Sequence, residues 1–160
     1  MRFVFVDRVL VLDPGRSIET LKNVTATEDV FADHFPGYPV FPGALIVETF
    51  EQASQLLIVA THAFACVGRL RAVRRGAFRH FVRPGDQLGV RGARTGGDDA
   101  TWTVSASADV DALRVASATL EFGLVPASGD DAAAHAARLR ETLRVLQQAP
   151  LEVPGQGRSA

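Results

Sequence analysis

Hydrophobic positions alternate at the start of the chain and then crowd together. Residues 2–12 alternate loosely and are rich in Val and Phe, the pattern of a half-buried strand. Asp13-Pro14-Gly15-Arg16 follows as a turn, with Pro presetting φ and Gly accepting a positive one. Residues 17–27 return to strand spacing, so an opening hairpin is predicted. Residues 28–42 are broken by Pro36, Pro39 and Pro42 and read as irregular. Between Gly43 and Gly68 neither Pro nor Gly intervenes, and Leu45, Ile46, Phe50, Ala53, Leu56, Leu57 and Ala60 leave little polar surface. That predicts a buried helix over residues 43–65, with Pro42 at its first position and Gly68 closing its end. Strand candidates follow at 69–82, 87–94, 100–108 and 113–124, separated by Gly/Pro/Asp turns. Short strands after one long helix predict an α+β fold, an antiparallel sheet curled around that helix. Helical spacing resumes over 130–148, with Leu139, Leu143 and Leu146 on one side. It is too short to be stable alone, so it is expected to dock on the body or on a neighbour.

The predicted division is one domain over residues 1–128, then a helical extension and a disordered tail over 129–160. At 160 residues, 47% hydrophobic and 22% charged, the chain has ordinary globular composition. Its apolar runs fall short of the ~20 residues a bilayer requires, and its N-terminus lacks signal-peptide features. Cys66 is alone, which excludes an internal disulfide. A cytoplasmic protein is expected.

Charge is uneven although the net value is −1. Residues 69–94 hold eight arginines against Asp86 alone, a local +7 (8 − 1). Arg69, Arg71, Arg74, Arg75 and Arg79 therefore form a candidate surface for an acidic partner. A solvated strand face fits the same residues, since the chain holds sixteen arginines and one lysine. No stacking aromatics interleave the arginines, so nucleic acid is not expected.

Candidate chemistry lies where the irregular segment enters the helix. Glu48 is a carboxylate among Leu45, Ile46, Val47 and Phe50; burial raises the pKa of such a group and makes it a candidate proton donor. A position on the wet side of the helix is the plain alternative. His34 sits in a segment stiffened by three prolines, as a preorganised base would. Gly43 offers an unpaired N–H at the positive end of the helix and lets a thin substrate approach. It could polarise a carbonyl or simply start a helix. Glu51 and Gln52 read as rim or hydrogen-bonding residues, and His62, His80 and His135 as surface histidines. No His, Cys or acid spacing suits a metal.

The run DHFPGYPVFPGALIVETFEQAS resembles the motif of the (3R)-hydroxyacyl-[acyl-carrier-protein] dehydratases of type II fatty acid synthesis, of FabZ type more than FabA type. Two more blocks agree in order: Phe5-Val6-Asp7-Arg8-Val9 with Lys22-Asn23-Val24-Thr25, and Phe78 through Leu88 with its Pro84-Gly85-Asp86-Gln87-Leu88 turn. The resemblance covers about residues 5–125 and implies the hotdog fold. It puts the catalytic pair on His34 and Glu48, fourteen residues apart (48 − 34) and contributed by different subunits of a dimer. His34 would take the α-proton, Glu48 would protonate the leaving 3-hydroxyl, and the Gly43 N–H would polarise the thioester carbonyl. The Val40 carbonyl would hold the imidazole tautomer, and Phe35, Val40, Phe41, Pro42 and Gln52 would line the substrate path. The resemblance implies no cofactor, the substrate riding on the phosphopantetheine of an acyl carrier protein that the arginines would meet. It implies a homodimer, assembling further into a trimer of dimers or pairing as a heterodimer. A glutamate at 48 where isomerising relatives have Asp implies dehydration without isomerisation.

The chain departs from the pattern at several places. Asp33 stands where Gly is usual and adds a negative charge beside His34. Thr49-Phe50-Glu51 replaces a smaller, more apolar stretch, which alters the bore or polarity of an acyl tunnel. The stretch before the first strand is short, and the helix at 131–148 is an addition. These departures suggest a specialised relative serving a polyketide or polyene assembly line. A hotdog thioesterase, a hydratase of coenzyme A esters and a non-catalytic subunit that binds acyl carrier protein are the competing readings.

Overall fold

The structure, a computed structural model, describes residues 4–147. Strands β1 (Arg8–Asp13) and β2 (Ser17–Asn23) form the opening hairpin, with Gly15 at φ +83° in its turn. One 3₁₀ turn, Asp29–Ala32, lies in the irregular segment before helix α1 (Gly43–Thr61). Strands β3 (Cys66–Phe78), β4 (Gln87–Gly97), β5 (Thr101–Val110) and β6 (Leu113–Pro126) follow, then helix α2 (Asp130–Leu146). The six strands make one antiparallel sheet in the order β1-β2-β4-β5-β6-β3, so β1 and β3 are its edges. The sheet packs on α1, as the pattern of hydrophobic positions predicts.

α1 is apolar enough to be enclosed. Leu57, Ile58 and Val59 are fully buried against Ile18, Leu88, Val104 and Leu120 of the sheet. Each such side chain contributes about 1.5–3 kcal/mol through its removal from water. Thr49 and Ser54 are just as buried, and their hydroxyls donate to the carbonyls of Leu45 (2.8 Å) and Phe50 (2.7 Å), so neither hydroxyl is stranded. Helix and sheet approach closely at Gly68, where an added Cβ would lie 2.6 Å from Ile58 Cδ1.

Several boundaries differ from the sequence reading. Strand β1 starts at Arg8; just before it the Asp7 N–H still meets the Leu21 carbonyl at 2.8 Å, while the Phe5 N–H donates to Gln52 Oε1 of the helix at 2.8 Å. Strand β2 ends at Asn23, after which Thr25 N–H bonds the Glu28 carboxylate. Gly43, not Pro42, is the first helical residue, and Pro42 supplies the carbonyl that Leu45 and Ile46 N–H groups meet. The helix ends at Thr61 rather than near Ala65. Ala63 and Phe64 both take left-handed φ, and the Phe64 N–H returns to the Val59 carbonyl at 2.7 Å, a closure in the manner of a Schellman motif made without glycine. Gly68 instead lies inside β3. Two bulges interrupt β3, between Leu70 and Ala72 and between Arg74 and Ala77.

Helix α2 buries Ala132, Ala136, Leu139 and Leu143, so it docks on its own chain, joining the core that α1 and the sheet share. Asp130 and Asp131 occupy its first turn and Arg144 its last, each favourable to the helix dipole. The expected disordered tail from residue 149 and the first residues of the predicted opening strand lie outside the described residues. Among the described residues no helix is long and apolar enough to cross a membrane.

Candidate active site

The segment from His34 to Phe41 is held by its own backbone. The His34 N–H donates to the Val30 carbonyl at 3.0 Å, and Phe35 and Tyr38 exchange N–H···O bonds of 3.3 and 2.9 Å around Gly37 at φ +79°. Val40 donates its N–H to the His34 carbonyl at 3.0 Å, so the bond linking these residues runs through the backbone. The His34 ring stacks on Phe35 at 4.1 Å between centroids. Phe41 anchors the segment: its N–H meets the Val82 carbonyl at 2.7 Å, and its buried ring packs on Phe5 and Phe31. Val40 is buried as well, Pro42 and His34 are half-buried, and Phe35 is exposed.

Gly43 opens α1, where the first N–H groups lack helical acceptors. The ring of Phe78 lies 3.0 Å from where a Cβ would stand, so only glycine fits without moving that ring. Glu48 is half-buried at the junction of two cavities. The first, about 520 Å³, lies against the first turn of α1, between Ala44, Leu45 and the loop residues Asp29 and Asp33. The second, about 200 Å³, continues along α1 past Glu51, Gln52 and Gln55 to the face of α2. His34 is not among the residues that line these two cavities. Val40, Phe41, Pro42 and Phe35 stay outside both as well.

The carboxylate of Glu48 is oriented by its neighbour one turn on. Gln52 Nε2 donates to Glu48 Oε1 at 2.8 Å. Gln52 Oε1 takes the Phe5 N–H, which fixes the amide the right way round. A parallel arrangement holds Glu51: Gln55 Nε2 donates to Glu51 Oε1 at 2.8 Å and to the Gly68 carbonyl, while Gly68 N–H returns to Gln55 Oε1 at 3.1 Å. Burial pushes the Glu51 carboxyl above its usual value; the Gln55 bond opposes this and the Glu48 charge adds to it. Sequence reasoning set Glu51 and His135 aside, yet both line the second cavity with Glu48. For Glu51 the i, i+3 offset from Glu48 was the available signal. For His135, 87 residues from Glu48 (135 − 48), there was none. His62 tilts over Trp102 at 5.5 Å instead, and His80 is exposed. Among the described residues no cluster of three or more His, Cys, Asp or Glu suits a metal ion.

Arg69, Arg71, Arg74 and Arg75 are exposed on edge strand β3, and Arg79 follows its last residue. Arg71 and Arg75 fall at its two bulges, which re-aim side chains out of the strand's alternation. Arg74 pairs with Glu121 at 3.3 Å, and Arg79 donates to the Ser117 hydroxyl at 3.0 Å. Arg69, Arg71, Arg75 and Arg79 form no ion pair with any carboxylate among the described residues.

Comparison with known proteins bears on the family and the fold. Residues 1–119 match the family model of the FabA-like domain. A 3-hydroxyacyl-[acyl-carrier-protein] dehydratase FabZ of Levilactobacillus brevis is 40% identical over 129 residues, covering 80% of this chain and 86% of the relative. The FabZ of Wolbachia pipientis wMel is 45% identical over 87 residues, covering 54% of this chain and 61% of the relative. A solved hot-dog-like protein from Thermanaerovibrio acidaminovorans shares the fold at a TM-score of 0.62 and 16% identity, covering 81% of this chain and 93% of that one. With the helix-wrapping sheet, the Glu48 junction and these matches together, the chain belongs to the FabA-like family of hotdog-fold proteins, beside the FabZ dehydratases.

Proposed function

We propose that this chain dehydrates a (3R)-3-hydroxyacyl thioester carried on an acyl carrier protein, giving the trans-2-enoyl thioester and water. The observation that carries the reading is Glu48: a carboxyl fixed by Gln52, one turn beyond a free helix-start N–H, open to cavities on both sides. The Gly43 N–H donates to the thioester oxygen and steadies the negative charge that builds there. His34 takes the C2 proton, the C2 electrons form the double bond, and the C3–O bond breaks as Glu48 delivers a proton to the leaving hydroxide. The imidazolium and the glutamate are left to exchange that proton, so no redox partner is consumed.

His34 and Glu48 come from different copies of the chain in this reading. Two features support a dimer: β3 is an edge strand with one side unpaired, and Leu70, Val73 and Phe78 on it and Phe81 after it are exposed, as are Phe35 and Tyr38 of the loop before α1. The unpaired arginines of β3 meet the acidic carrier protein. A cytoplasmic location is part of the same proposal, supported by the free thiol of Cys66.

Mass spectrometry of a 3-hydroxybutyryl carrier protein tests the reaction. Loss of one water with the wild type, abolished in His34→Ala and Glu48→Gln, is the expected result. Release of free acid, or no change on any acyl chain, would overturn it.

A further inference from the structure

The second cavity beside Glu48 has an unusual far wall. Helix α2, which supplies His135, Leu139 and Thr142 to it, lies outside residues 1–119 that match the family model. Along α1 the order is Gly43, Glu48, Glu51, Gln55, spanning about 18 Å of helix rise. A thioester carbonyl at Gly43 and a C3 hydroxyl at Glu48 therefore direct the rest of the acyl chain toward Glu51 and α2. That path meets Leu56 and Leu139, but also Glu51, Gln55, His135 and Thr142. Glu51 is set there deliberately by the fold, since Gln55 ties it to the backbone of Gly68 on β3.

We propose, on the dehydratase reading above, that the second cavity receives the acyl chain beyond C3 and that Glu51 selects chains bearing an oxygen there over plain alkyl chains. A methylene chain entering this cavity lies against the Glu51 carboxyl and offers it no hydrogen bond. A hydroxyl on C5 supplies one. Burial raises the pKa of the Glu51 carboxyl, and its oxygens are positioned to take the hydrogen bond of such a hydroxyl. The substrate class is a 3-hydroxyacyl thioester with a further oxygen, the product of an upstream condensation cycle whose own keto group was reduced only to the alcohol.

The experiment compares carrier-bound 3-hydroxybutyryl, 3-hydroxyoctanoyl and 3,5-dihydroxyoctanoyl thioesters with wild type, Glu51→Leu and Glu51→Gln. The expected result is a wild-type kcat/KM for the dihydroxy chain on the order of 10- to 100-fold above the plain octanoyl chain. Glu51→Leu loses that preference, and Glu51→Gln, which keeps a hydrogen-bonding amide, retains part of it. Turnover of 3-hydroxybutyryl with no preference between the two longer chains would overturn this inference and leave the dehydratase reading standing. No dehydration of any of the three would overturn both.

Discussion

Gln52 holds Glu48 from one helical turn away, its amide nitrogen 2.8 Å from the carboxylate and its amide oxygen taken by the Phe5 N–H. The amide is thus a link between the segment preceding β1 and the group proposed to protonate the substrate. Gln52→Leu breaks both bonds. It is expected to lower kcat about 10- to 100-fold with little change in KM, because the carboxyl loses orientation rather than the substrate its site. Steady-state kinetics on the 3-hydroxybutyryl carrier protein checks this; an equal rise in KM with kcat intact would place Gln52 in binding instead.

Glu51 makes stability depend on pH in a definite direction. Its folded-state carboxyl titrates above the ordinary value of 4.5, chiefly through burial, so over that window the native state binds more protons than the unfolded one. Stability from this group is complete below pH 4.5 and is lost as pH rises through the folded value. Glu51→Gln keeps the acceptor for Gln55 and removes the charge. Its melting temperature should exceed the wild type's at pH 8, by roughly 2–4 °C per kcal/mol recovered, with the gap closing toward pH 4.5. A gap independent of pH would show that the charge is not what matters.

The close helix–sheet approach at Gly68 can be tested by adding one methyl group. In Gly68→Ala the new Cβ meets Ile58 Cδ1, with Phe122 and the Gln55 amide also within 3.3 Å. A loss of about 1–3 kcal/mol is expected in urea denaturation. Ile58→Val removes the clashing methyl and alone costs about 0.5–1.5 kcal/mol. The double variant should be less destabilised than the two losses summed; simple additivity would mean that the contact is not the cause.

Charge reversal on β3 separates docking from chemistry. Arg69→Glu and Arg75→Glu are expected to raise KM for the carrier-bound substrate severalfold, more steeply at low salt, while leaving kcat on a small pantetheine thioester unchanged. Equal effects on both substrates would remove the arginines from the docking surface.

What could be read along the chain was local chemistry. The buried helix, the hairpin turn and the order of strands all follow from spacing and from Pro and Gly placement. His34 and Glu48 stood out because each is a polar residue in surroundings that restrict it. Long-range facts did not show. Gly68 reads as a helix stop on type alone, but the strain of ending α1 is taken by Ala63 and Phe64, non-glycine residues in left-handed conformations. Nothing near Phe5 signals that its N–H will leave the strand ladder for Gln52, 47 residues away. Arg71 and Arg75 counted as two charges in a run until the bulges of β3 gave them particular directions. The second cavity depends on α2 folding back over α1, a tertiary event that helical spacing could place either on the body or on a neighbour.

Lys22 is the chain's single lysine, and its ammonium is enclosed, bonded to the Asn23 carbonyl at 2.8 Å and to Glu28 at 2.9 Å with only 7% of the side chain exposed. The folded molecule therefore presents no side-chain amine to reagents in solution. Acylation of Lys22 would record the moments when β2 parts from the loop that follows it, so a common labelling reaction becomes a clock for the opening of this one corner of the fold.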